Sequence, residues 1–119
     1  MFYSGVPLSR LDEIANGEAR KYRPIENFYD FSADFGNIRH EGGVGFNSGK
    51  KPTKMLKQFL NYHSRKDILV LDFFAGSAST GHAVLDLNAE DGGNRRFIMC
   101  TSNEQNICRE VAYTRLKNV

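Results

Sequence analysis

The chain has 119 residues, with 16 Lys and Arg against 14 Asp and Glu, giving a net charge of +2. One small domain at most fits this length, and so balanced a charge neither demands nor excludes a nucleic-acid partner. No N-terminal apolar leader and no apolar run of about 18 residues occurs, so the expectation is a soluble cytoplasmic chain with no membrane partner.

Residues 1–45 are polar, glycine-containing and aromatic, and "RPIENFYDFSADFGN" carries Phe28, Tyr29, Phe31 and Phe35. Neither a period of 2 nor one of 3.6 runs far through them. This predicts an irregular, loop-rich N-terminal segment with one short helix over 8–16. "EGGVG" at 41–45 has the composition of a flexible joint. Residues 46–119 form the second segment, where the pattern sharpens. From Pro52, the spacing of Met55, Leu56, Phe59, Leu60 and His63 predicts a helix opened near Thr53. The basic run of Lys50, Lys51, Lys54 and Lys57 is expected to be a solvated helix face. "ILVLDF" at 68–73 is apolar without alternation, as in a central parallel strand buried on both faces. A helix over 77–88 follows, with Ala83, Val84 and Leu87 inward. "EDGGNR" makes a turn, "RFIMCT" a second strand, and 105–117 a helix through Ile107, Val111 and Leu116. The result is an α/β fold built on a βαβα unit with parallel strands and a right-handed crossover. Cys100 and Cys108 have no metal-ligand partners nearby, and His63 and His82 stand alone on predicted helices. Reduced thiols and no metal site are expected.

The turn after the first strand, "DFFAGSASTG", carries the chemistry. A helix N-terminus there offers unpaired N–H groups and partial positive charge, and small residues let a ligand approach the backbone. Three familiar ligand loops do not fit. Gly76 and Gly81 have no glycine between them, so the dinucleotide fingerprint fails. "GFNSGKK" lacks the first glycine of a phosphate loop, since Val44 stands there, and Lys51 occupies the Ser/Thr position. A nucleophile elbow would need serine where Ala78 stands.

"DFFAGSAST" resembles the cofactor loop of DNA amino-methyltransferases, usually DFFAGSGTT or DPFAGSGTT. "GHAVLDLNAEDGGNRRFIMCTSNEQNIC" is similar to its continuation in modification (Mod) subunits of type III restriction–modification systems. "FNSGKKPTKMLKQFL" resembles their motif X. Motif X at 46–60 followed by motif I at 68–80 marks the β class, which methylates adenine N6 or cytosine N4. The resemblance covers roughly residues 24–119 and implies a partial Rossmann-like fold that binds S-adenosylmethionine.

Carried over residue by residue, the resemblance places Asp72 against the methionyl ammonium, where a carboxylate makes a charge-assisted hydrogen bond. Phe73 and Phe74 would wall the pocket, Gly76 would give close backbone approach, and Ser77 and Thr80 would offer hydroxyls or cap the helix. Lys51 would sit near the methionyl carboxylate. Glu104, with Asn103 as its rival, would hold the ribose hydroxyls. Two departures stand out. Ala78 replaces the loop's second glycine, which is harmless at negative φ but strained at positive φ. The catalytic motif [DNS]-P-P-[YFW], which orients the target amino group and stacks on a flipped base, is absent, because Pro7, Pro24 and Pro52 are nowhere adjacent. No catalytic residue is therefore assigned. The expectation is a C-terminal, cofactor-binding part of a DNA adenine-N6 methyltransferase. It would be completed by an N-terminal half or complementing chain that contacts duplex DNA, with a restriction subunit as a further partner. Self-association through strand 68–73 is expected when that half is missing. The alternatives are a non-catalytic module holding S-adenosylmethionine or a nucleoside, and a nonfunctional gene remnant.

Overall fold

The computed structural model describes residues 8–19, 25–36, 38–46 and 49–119. Arg23, Pro24 and Asn37 of the aromatic stretch, and Asn47 and Ser48 of the motif X stretch, lie outside the described residues. The elements in order are a 3₁₀ turn Leu8–Arg10, α1 (Leu11–Ala15), α2 (Ser32–Phe35), a kinked 3₁₀ segment Ile38–Gly43, α3 (Thr53–Leu60), β1 (Leu69–Asp72), α4 (Ser79–Asp91) and β2 (Arg96–Met99). A 3₁₀ turn Glu104–Asn106, a π-helix Ile107–Tyr113 and α5 (Thr114–Asn118) complete it. His63 falls beyond the end of α3 rather than on it.

β1 and β2 pair in parallel, Leu69 with Arg96 through Asp72 with Met99, as a two-stranded sheet. Residues alternate across a strand, so Val70, Asp72, Phe97 and Met99 share one face. On α4, Ser79, His82, Ala83, Val84 and Leu87 are buried. Gly81 lets α4 come close: a Cβ there would stand 2.8 Å from Leu116 Cδ2 and 3.4 Å from the Phe97 ring. The opposite face is bare. Leu69 is 54%, Leu71 50% and Ile98 49% exposed. The unbroken apolar run predicted burial on both faces, but only one face of β1 is covered among the described residues.

The far end of α4 is fixed to β2 by polar groups. Arg95 makes a bidentate pair with Asp91, both contacts at 2.9 Å. Asn88 accepts from Arg95 N at 3.0 Å and donates to its carbonyl at 2.8 Å. Gly92, at φ 66°, ends the helix in the left-handed conformation that glycine adopts without strain.

A buried guanidinium joins the distant segments. Arg115, in α5, has no exposed surface. Its Nε donates to His82 Nδ1 at 3.0 Å, Nη1 to Ser79 Oγ at 2.9 Å and Nη2 to Glu41 Oε2 at 2.9 Å. Glu41 Oε1 accepts from Thr53 Oγ1 at 2.7 Å, which ties the start of α3 to the same group. Gly42 makes room: at φ 76°, a Cβ would stand 2.6 Å from Arg115 Cγ. "EGGVG" is therefore an anchored crossing, not a flexible joint. Lys50 departs from the solvated-face reading as well. It is buried and donates to the carbonyls of Arg39, Glu41 and Val44 at 2.8, 3.0 and 2.6 Å. Three acceptors around one ammonium satisfy all of its donors. Lys51 and Lys54 are exposed as expected.

Because His82 Nδ1 accepts a hydrogen bond from Arg115, the neutral ring carries its hydrogen on Nε2, which faces Asp86 Oδ1 at 3.4 Å. Burial pushes the imidazole below its ordinary value of 6.5, Asp86 opposes this, and Arg115 adds to it. The unfolded chain then binds the proton more readily. The stability contributed by neutral His82 is full above about pH 6.5 and is lost as pH falls from there through the lower folded value. We expect the melting temperature to drop as the pH falls below about 6.5. His82→Asn, whose amide oxygen occupies the place of Nδ1, flattens that drop in a pH series of thermal melts. An unchanged slope in the variant would assign the loss to other groups.

Ala78 is left-handed, at φ 57° and ψ 34°, and fully buried. The strained branch of the sequence expectation therefore applies. The left-handed conformation costs alanine roughly 1–2 kcal/mol. Glycine would relieve this but lose a buried methyl, about 0.8 kcal/mol, and add unfolded-chain entropy, about 0.4–1 kcal/mol. The terms offset one another. Ala78→Gly should leave the melting temperature almost unchanged, whereas the same swap inside a right-handed helix costs about 1 kcal/mol. A fall of about 4 °C or more in calorimetry would remove the strain.

Candidate functional site

The C-terminal ends of the two parallel strands open onto a cleft of about 640 Å³. Its lining comes from Phe46, from the turn after β1 (Phe73, Phe74, Gly76), from the segment after β2 (Thr101, Ser102, Glu104, Gln105) and from the π-helix (Ile107, Val111). The volume is within the range of about 300–1,000 Å³ usual for small-molecule sites. Apolar side chains make the walls, and Thr101, Ser102 and Glu104 supply polar atoms. That combination suits a ligand with one aromatic and one hydrogen-bonding part.

The turn is held open by specific bonds. Cys100 N donates to Asp72 O at 2.8 Å and Ala75 N to Cys100 O at 3.0 Å, so the pairing of the strands continues into the loop. Gly76, at φ 50°, turns the chain. Asp72 Oδ1 accepts from Phe74 N at 3.0 Å and Oδ2 from Thr80 Oγ1 at 2.7 Å. The carboxylate thus braces both ends of the loop. A carboxylate has about four acceptor sites, so two remain for a cation.

Of the residues expected from the sequence, Phe73, Phe74, Gly76 and Glu104 line the cleft, and Phe74 is 93% exposed. Asp72, at the end of β1, and Thr80, in the first turn of α4, flank the loop and are not among the lining residues. Ser77 is buried, its Oγ 3.2 Å from Ser79 Oγ, and so is directed into the fold. Lys51 is exposed off the lining, with its backbone N donating to Ser79 Oγ at 3.4 Å, which brings motif X beside the start of α4. The rivals at the second strand are separated: Asn103 Oδ1 accepts from Cys108 N at 3.1 Å, while Glu104 faces the cleft.

Sequence reasoning missed Phe46, Thr101, Ser102, Gln105, Ile107 and Val111 as lining. Ile107 and Val111 carried the signal of a core-facing helix, and the π-helix turns them to the cleft instead. Gln105 and Asn106 hold left-handed backbone, at φ 53° and 58°, just before it. Such strain and π-turns gather at functional sites. Among the described residues, no group of His, Cys, Asp and Glu is arranged to hold a metal.

The chain is similar to proteins of known class. It is 56% identical over 54 residues, 45% of its length, to the type III restriction-modification enzyme StyLTI Mod subunit of Salmonella typhimurium, covering 8% of that protein. It is 37% identical over 76 residues, 64% of its length, to the EcoPI Mod subunit of Escherichia phage P1, covering 12%. It is 40% identical over 63 residues, 53% of its length, to the type II methyltransferase M.KpnI of Klebsiella pneumoniae, covering 15%. The aligned stretches thus span a small part of each relative. The family model for DNA methylases matches residues 6–112, nearly the whole chain, and the protein belongs to that family.

Proposed function

We propose that this chain is the S-adenosylmethionine-binding portion of a DNA adenine-N6 methyltransferase of a restriction–modification system, acting in the cytoplasm on a partial Rossmann-like scaffold. The observation that carries it is the cleft at the ends of β1 and β2, lined by Phe73, Phe74, Gly76 and Glu104, in a member of the DNA methylase family. The cofactor, when bound, supplies the methyl group. The residues of this chain bind and orient it. Asp72 has acceptor capacity left for the ammonium, Glu104 for ribose hydroxyls, and Phe73 and Phe74 cover apolar surface. Lys51 supplies charge near the carboxylate, while Thr80 and Ser77 shape the loop. In this proposal residues 46–119 carry the cofactor site, and the base-positioning motif and target-recognition region come from a complementing part. The uncovered residues Leu69 and Leu71 and the outer edge of β1, unpaired among the described residues, support docking of that part there, with self-association as the competing use of the edge. Duplex DNA would be reached through the same part, and a restriction subunit would assemble on the whole.

Titration calorimetry with S-adenosylhomocysteine tests the binding. Asp72→Asn keeps the shape of the brace and removes the charge. A hydrogen bond to a charged group contributes about 1.5–3 kcal/mol, so affinity should fall roughly tenfold to a hundredfold while the melting temperature changes little. Equal affinity would take Asp72 out of the site.

The second expectation concerns catalysis. The purified chain should transfer no methyl group from labelled S-adenosylmethionine to duplex DNA, and should do so once mixed with a complementing chain bearing a DPPY motif. Transfer by the chain alone would overturn the division of labour. Cofactor binding without transfer in any mixture would favour a non-catalytic binding module.

A further inference from the structure

We propose that Arg115 is a positioning residue for the cleft, fixing the distance between its β1 and β2 walls. None of its side-chain hydrogen-bond partners is a lining residue. It extends from α5, which follows directly on the π-helix that carries Ile107 and Val111 on one wall. It holds Ser79 Oγ at 2.9 Å and His82 Nδ1 at 3.0 Å on the first turn of α4, immediately after the loop that forms the other wall. Its third donor holds Glu41, whose other carboxylate oxygen accepts from Thr53, so the motif X helix is referred to the same point.

The loop has reason to need an outside hold. Ala78 caps α4 in left-handed backbone and makes no side-chain capping bond. The opposite wall begins with the left-handed pair Gln105 and Asn106. Strained segments persist where surrounding structure over-determines them, and the guanidinium is the group that bonds to the α4 side from the helix of the other wall. A planar fork aimed at three acceptors fixes direction as well as distance. A lysine ammonium on a flexible stem does not.

The affinity part of the test rests on the cofactor reading, and the exchange part does not. Amide hydrogen exchange is measured on the unliganded 119-residue chain, and S-adenosylhomocysteine affinity by calorimetry. Arg115→Lys should speed exchange about tenfold at 76–80 and at 107–111 and leave 84–88 protected, with affinity lowered about tenfold, as loss of a supporting contact commonly does. Ser79→Ala, which removes one acceptor together with the Ser77 and Lys51 contacts to the same Oγ and keeps the Glu41 and His82 bonds, should give the same two shifts at smaller size should Arg115→Lys fail to fold, the shift at 107–111 being the one that reports Arg115. Arg95→Lys, at the far end of α4, should lower the melting temperature without either shift. Exchange at both walls matching wild type in Arg115→Lys or in Ser79→Ala would overturn the proposal, as would the same pattern from Arg95→Lys. A wild-type chain that takes up no S-adenosylhomocysteine would remove the cofactor reading and leave the exchange comparison to decide Arg115.

Discussion

A guanidinium sealed from water must find acceptors for its donors, because an unpaired buried charge costs several kcal/mol. In this chain that demand draws three places together around Arg115: the crossing at Glu41, the first turn of α4 and, through Glu41, the start of α3. Gly42 has to lack a side chain for the crossing to pass, and His82 has to stay neutral for its Nδ1 to accept. Buried Lys50 then gathers the carbonyls on either side of the same crossing. With a sheet of two strands among the described residues, this polar junction does work that a larger apolar core does elsewhere.

The sheet is unequal on its two sides. α4 covers one face, and Gly81 sets how closely it does so. The other presents Leu69, Leu71 and Ile98. The aligned stretches cover between 8% and 15% of the relatives' lengths, so those proteins carry a great deal of chain beyond the part they share with this one.

What was legible in the sequence was local. The strand, small-residue turn, helix and second strand follow from periodicity and turn residues within a few positions of each other, and the structure has them with no end shifted by more than three residues. The long-range terms were not legible. Nothing near "EGGVG" signals that Glu41 will meet an arginine far along the chain, so the glycines suggested freedom where they provide clearance. Lys50 lay in a basic run and gave no sign of its carbonyl cage. The apolar run of β1 signalled two buried faces because hydrophobicity records what can be covered, not what covers it. Phe73, Phe74, Gly76 and Glu104, singled out by the resemblance to the methyltransferase loop, line the cleft because they follow the strand ends. Phe46, Ile107 and Val111 were missed because an apolar side chain lining a cleft has the same pattern as one in a core.

The span of the Glu41–Arg115 bond has a kinetic consequence. Its partners are 74 residues apart, and closing so long a loop has an entropic cost that short-range pairings avoid. The β1–α4–β2 unit closes a much shorter loop, from Leu69 to its partner Arg96. During synthesis, Glu41 leaves the ribosome long before its partner exists, so the crossing waits unpaired while the central unit assembles. Docking of α5 then follows assembly of the central unit, and the cleft acquires its final width only when that helix arrives.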